Sequence, residues 1–170
     1  MKILETERLV LRVFSPADAD MIIRLLNQAD FIQNIGDKGV RDFQSACEYL
    51  KTGPMAMQQA LGFSLYCCQL KSSGEPIGMS GLIKREGVEY PEVGYSFLSQ
   101  YQRKGYGKES VAAVIEYASS QLGLKCLNAI CNPSNLASIA LLEGQKFQNK
   151  GLVSVPNIDN EVVLFERFLN

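Results

Sequence analysis

Three strand-like runs follow one another between residues 63 and 98, separated by turns too short for a crossover. Residues 63–70, 76–84 and 92–98 each hold the β-branched, aromatic and apolar residues that strands favour. Ser72-Ser73-Gly74-Glu75 and Glu86-Gly87-Val88-Glu89 are turn sequences between them. Strands joined this way run antiparallel, because a parallel return needs a dozen residues or more. The third run leads directly into Gln102-Arg103-Lys104-Gly105-Tyr106-Gly107. A helical pattern over 108–122 follows, with Val111, Val114, Ile115, Ala118 and Leu122 on one stripe.

The flanks extend this frame. Residues 8–14 alternate as a strand does. Ser15-Pro16-Ala17-Asp18 is a helix start: Ser15 caps, Pro16 fits the first helical position and Asp18 closes a capping box. Met21, Ile22, Leu25 and Leu26 form that helix's stripe. Phe43, Ala46, Cys47 and Leu50 mark a second helix over 41–51. Downstream, 125–131 reads as a strand, 135–143 as a short helix and 161–168 as a last strand, with a further strand near 151–155. The order β-α-α-β-β-β-α-β-α-β-β predicts an α/β (α+β) protein, with a mixed, mostly antiparallel sheet and helices on its faces.

The chain has 170 residues, about one domain's worth, and no linker or repeat divides it. A single domain over 1–170 is expected. Lys and Arg number 17 against 18 Asp and Glu, so no general attraction to nucleic acid or anionic membrane is expected. There is no His, which excludes His-based triads, bases and metal ligands within this chain. The five Cys form no C-x-x-C pair and have an odd total, which argues against a disulfide framework or zinc site. Reduced thiols in a cytoplasmic setting, and no metal, are the expectation. The N-terminus is too charged for a signal peptide. The longest uncharged run, 52–70, carries Gly53, Pro54 and three Gln and is no membrane span.

Gly105 and Gly107 open a helix directly after a strand. Glycine permits positive φ and removes side chains that would block a ligand. The first helical N–H groups have no partner within the helix, so the turn is a natural anion site. Arg103, Lys104 and Lys108 surround it with positive charge. A P-loop fails at Gln102 and Glu109. A dinucleotide fingerprint fails at Ser110, where its third Gly should stand. The acyl-CoA pattern [QR]-x-x-G-x-[GA] is matched in full by Gln102, Gly105 and Gly107.

Four stretches together resemble the GNAT superfamily of N-acetyltransferases, and most closely the branch of ribosomal-protein N-terminal acetyltransferases. They are Glu5-Thr6-Glu7-Arg8-Leu9-Val10-Leu11-Arg12, Glu92-Val93-Gly94-Tyr95, the run from Tyr101 to Glu109, and Asn135-Leu136-Ala137-Ser138. The resemblance spans nearly the whole chain but is weak over 29–60, the segment that shapes the family's acceptor pocket. Lys146 stands where the family usually has Gly, which bears on the cap of the preceding helix.

The resemblance implies acetyl-CoA as cosubstrate, with an amine acceptor, either a peptide N-terminus or a small molecule. It implies that the pyrophosphate rests on the backbone from Arg103 to Lys108, including Gly105, Tyr106 and Gly107. The pantetheine arm would lie beside Phe97, Leu98 and Ser99, with a backbone N–H near Phe97 serving the developing oxyanion. Asn135 would bond the arm; it is equally a helix N-cap. Ser138, on the same helical face, would protonate the leaving thiolate, or is a plain surface hydroxyl. Glu92 is the candidate base, against a solvated edge carboxylate or water. Tyr95 and Tyr106 are expected to pack or to touch the cofactor. A non-catalytic acyl-CoA sensor is the alternative activity, and a monomer or homodimer the expected assembly.

Overall fold

The computed structural model describes residues 1–170. Eight strands form one sheet: β1 (Lys2–Glu5), β2 (Leu9–Arg12), β3 (Leu65–Leu70), β4 (Pro76–Ile83), β5 (Glu92–Phe97), β6 (Cys126–Cys131), β7 (Gln148–Val153) and β8 (Val162–Phe168). Six helices accompany them: α1 (Ala19–Leu26), α2 (Ala29–Asn34), α3 (Phe43–Leu50), α4 (Ala56–Leu61), α5 (Tyr106–Ser120) and α6 (Leu136–Gly144). The sheet order is β1-β2-β3-β4-β5-β6-β8-β7. Every neighbouring pair is antiparallel except β5–β6. The mixed sheet flanked by helices is the expected class.

Two cores lie on the two faces. On one, Leu9, Leu11, Val93 and Phe97 pack against Val111, Val114 and Ile115 of α5. On the other, Met79 and Cys67 meet Ile22, Leu25 and Ala46 of α1 and α3. Asp18 accepts from the Ser15 N–H at 3.0 Å, as a capping box requires, and also takes two hydrogen bonds from Arg12.

Some expectations are corrected. The first strand is shorter, and β1 precedes it, recruited because β2 offers it an antiparallel edge. The expected helix over 41–51 is α3, capped by Asp42, whose side chain accepts from the Ser45 N–H at 2.7 Å. It runs on through a π turn (Lys51–Met55) containing Pro54 into α4, which ends at Gly62 with φ +79°. Helix α5 starts at Tyr106, two residues earlier than its apolar stripe announces. Lys146 adopts φ +66°, so the left-handed cap that glycine favours is kept by a lysine.

The parallel pair β5–β6 has a single register partner, Glu92 with Asn128, and then the two strands part. Asn128 is buried and holds the root of the split. Its N–H bonds to the Pro91 carbonyl at 2.9 Å, its side-chain oxygen accepts from Tyr90 N–H, and its amide donates to the Phe165 carbonyl. Past that point the sheet is open.

Candidate active site

The opened edge belongs to β5. Pro91 turns its carbonyl toward β6, and the Leu98 N–H turns the other way to the Ile77 carbonyl. Strand alternation therefore aims the backbone of Val93, Tyr95 and Phe97 into the gap. No register shift interrupts β4–β5 between residues 92 and 97. Glu92, Gly94 and Ser96 thus share one face and Val93, Tyr95 and Phe97 the other. The Phe97 carbonyl accepts from Gln28 Nε2 (3.2 Å) and Gln102 Nε2 (2.9 Å).

Below the gap lies the glycine turn. Arg103 (φ +61°) and Gly105 (φ +87°) are both left-handed, which coils the chain so that successive amides face outward together. The N–H groups of Arg103 through Lys108 make no hydrogen bond within the protein; the first to do so is Glu109, to the Gly105 carbonyl. Six consecutive free amides at the start of a fifteen-residue helix form an anion cradle. A side chain at Gly107 would meet the tip of Leu141.

The cradle is braced from the N-terminus. Thr6 Oγ1, Arg8 N–H and Arg8 Nε all donate to the Glu109 carboxylate. Arg8 also donates to the Lys104 carbonyl and lies 4.2 Å above the Tyr106 ring. Burial would raise the Glu109 carboxyl, but Thr6 and Arg8 together hold it below its ordinary value. This explains the Thr6-Glu7-Arg8 segment, whose role sequence reading missed; the contact joins residues about one hundred apart.

Across the gap stands α6. Asn135 caps it, its side-chain oxygen accepting from the Ser138 N–H at 3.2 Å, while its amide nitrogen makes no hydrogen bond. Ser138 Oγ lies 2.6 Å from the Tyr95 hydroxyl. Burial pushes the Tyr95 phenol up to about 12, so it stays protonated at neutral pH. Tyr95 was expected to pack or to touch the cofactor, and its hydroxyl reaches the centre of the site.

Two clefts meet there. One, of about 690 Å³, runs along the cradle past Phe97, Gln102, Arg103, Gly105, Gly107 and Lys108. The other, of about 450 Å³, lies between β5 and the α2–α4 segment, with Tyr49, Pro54 and Met57 on its wall. Tyr95, Asn135 and Ser138 line both. Glu92 lines the second. It is 4% exposed, and Arg85 donates to both its oxygens, at 2.8 and 3.3 Å. Burial outweighs that arginine and raises the Glu92 carboxyl.

The structure does not bring every expected residue to the clefts. Leu98 packs under α1, and Ser99 is tied to Gln28 through its N–H and hydroxyl. The Lys104 carbonyl and the Tyr106 ring serve the brace, and neither side chain lines the clefts. Gln102 holds Phe97 and Asp30 instead of facing the free amides. Gln28, and the pairing of the Tyr95 hydroxyl with Ser138, were not foreseen.

A split sheet with a glycine-turn cradle at its opening defines an acyl-CoA-type transferase fold. Residues 8–148 match the acetyltransferase (GNAT) domain family, and the chain belongs to it. N-acetyl transfer is the activity of that class. The uncharacterized N-acetyltransferase YoaA of Bacillus subtilis is 27% identical over 152 residues, 89% of this chain and 85% of its own. The acetyltransferase of Agrobacterium tumefaciens superposes with a TM-score of 0.83 at 23% identity, covering 98% of this chain and 94% of its own. RimL, a ribosomal L7/L12 α-N-protein acetyltransferase solved in complex with coenzyme A, has the same fold (TM-score 0.84, 17% identity, 99% and 98% covered). No helix is long and apolar enough to cross a membrane.

Proposed function

We propose that this protein moves the acetyl group of acetyl-CoA to a primary amine, by direct attack while both are held. The carrying observation is the run of six free amides beside a cleft that opens, at Tyr95 and Ser138, into a second one. Acetyl-CoA supplies an activated thioester and an anionic pyrophosphate. The amides of Arg103 to Lys108 hold that anion, with the cationic side chains of Arg103 and Lys108 adding attraction. Phe97 and the Asn135 amide line the path of the pantetheine arm, and Asn135 keeps its capping role. A β5 N–H near Phe97 faces the charge that builds on the thioester oxygen. Ser138 delivers a proton to the departing sulfur and takes one from Tyr95, which regains its own from solvent as Glu92 releases the amine's proton there. Glu92 draws the proton from the amine through a chain of waters along the second cleft. The acceptor is a small-molecule amine or a peptide N-terminus, held in the second cleft, and the setting is cytoplasmic. That RimL was solved with coenzyme A supports the choice of cosubstrate.

The test is thiol release from acetyl-CoA with a panel of amines, alongside calorimetric titration. Glu92→Gln lowers kcat by roughly 10²–10⁴, the range of a positioned general base, and leaves acetyl-CoA affinity near normal. A base acts ionised, so the raised Glu92 carboxyl sets an acidic limb in the pH–kcat profile above the ordinary carboxylate range, and Glu92→Gln removes it. Unchanged turnover in the variant takes Glu92 out of the mechanism. Binding without any thiol release favours a sensor.

A further inference from the structure

The second cleft has an asymmetric charge. Three cationic side chains line it, Lys38, Lys84 and Arg85, against the single carboxylate of Glu92. Glu92 is paired with Arg85. Lys84 donates to the Val88 carbonyl. Lys38 has no carboxylate within salt-bridge range; its neighbour Asp37 is committed to Arg41. Desolvation in the cleft, and then the nearby Arg85 guanidinium, push the Lys38 ammonium below its ordinary value. Lys38 is thus an exposed cation without a carboxylate partner, and Arg85 meets Glu92 through Nε and Nη2 while its Nη1 makes no hydrogen bond, so an anion entering the cleft finds donors on both. The remaining wall is largely apolar: Ile35, Met57, Leu65, Ile83, Ile130 and Val162 among others.

The cations sit at one end of the cleft and the Tyr95–Ser138 pair at the other. Along β5, Glu92 and Tyr95 are three residues apart, about 10 Å at the usual rise. The volume, about 450 Å³, lies in the range of small-ligand sites.

We infer that the acceptor is a small primary amine carrying a carboxylate or phosphate, its anion held by Lys38 and Arg85 while its amine reaches Ser138 and Tyr95. This rests on the acetyl-transfer reading above. The same cations disfavour an ammonium in the cleft, so they help the acceptor lose its proton, and they repel polyamines.

The test uses matched amines with acetyl-CoA: ω-amino acids of increasing length against their amides, aminoalkyl phosphates against the parent amino alcohols, spermidine and an acidic-headed peptide. Thiol release is read at low and high salt. The expected result is a kcat/KM roughly 10–100-fold higher for the anionic member of a pair, shrinking with salt, with spermidine last. The carboxylate and phosphate arms show which anion is preferred. Lys38→Gln cuts the anionic-to-neutral ratio about tenfold, mainly through KM. Equal or better use of the neutral amines, of spermidine or of the peptide overturns the inference and leaves the acetyl-transfer reading standing. Should no amine release thiol although acetyl-CoA binds, the transfer reading fails instead. Calorimetric binding of the same pairs to the acetyl-CoA complex then decides on the cleft alone: tighter anionic members uphold it, and no preference ends it.

Discussion

Gly105 and Gly107 are separated by a single residue, Tyr106, and do different things. Gly105 is left-handed at φ +87°, while Gly107 has ordinary helical backbone and matters for space alone. Gly107→Ala should therefore be nearly silent, since only the flexible tip of Leu141 must yield. Gly107→Glu should fold and lose most acetyl-CoA binding in a calorimetric titration, because its charge opposes the anion at the cradle. Full affinity in Gly107→Glu would move the pyrophosphate elsewhere. Tyr95→Phe keeps the ring and removes the hydroxyl 2.6 Å from Ser138. It should lower kcat about tenfold or more, with Ser138→Ala no worse when added, as residues acting as a unit are non-additive. A silent Tyr95→Phe beside an impaired Ser138→Ala would end the relay. With the phenol raised to about 12, no alkaline limb below about pH 11 should come from it.

At the level of elements, the site exists because β5 and β6 part after one pair. Asn128 sets that point, with three hydrogen bonds into the segment before β5 and into β8. Asn128→Leu leaves the Tyr90 N–H and Phe165 carbonyl without their side-chain partner. It should cost roughly 2–3 kcal/mol by the penalty for buried unsatisfied groups, read as a lower denaturant midpoint. Acetyl-CoA affinity should weaken as the root of the split loosens. A variant as stable as the parent would show that the split is held by packing alone. The other pairing that matters is the β1–β2 turn with α5: Thr6 and Arg8 donate to Glu109 and tie the first turn of α5 to the sheet.

For the molecule as a whole, two carboxylates anchor the fold, Asp18 to its near neighbours Arg12 and Ser15 and Glu109 to Thr6 and Arg8 about one hundred residues away, and both are held below their ordinary values. For Asp18, burial works upward but is overcome by Arg12 and the Ser15 N–H; for Glu109, burial is overcome by Thr6 and Arg8. A depressed carboxylate stabilises the fold fully above its unfolded value, about 4. That contribution disappears as pH falls through the folded value. Melting temperature should hold from pH 7 to about 5 and fall steeply below about 4. Glu92, raised by burial, acts with the opposite sign: its effect on stability is most favourable below about 4 and declines as pH rises. A melting temperature flat down to pH 2.5 would mean that neither pair contributes to global stability.

Local pattern was enough for the meander, the α1 start, the α5 stripe and the glycine turn, because each depends on residues within a few positions of one another. The cradle was legible for the same reason: glycine spacing and a helix start are local chemistry. The short helices α2 and α4 were not, since Ala29–Asn34 and Ala56–Leu61 span under two turns and carry no complete apolar stripe. The substitution at Lys146 left the helix cap open, and the fold keeps the left-handed geometry there at a cost of roughly 1–2 kcal/mol for a residue with a Cβ. Tyr95 is one more strand aromatic in the sequence, and only the parting of β5 from β6 brings it to Ser138. The brace on Glu109, the Asn128 root and the cationic end of the second cleft likewise depend on residues dozens of positions apart. Tertiary packing alone decides which of those meet, because long-range contacts follow from how the sheet closes and opens, not from the spacing of residues along any one element.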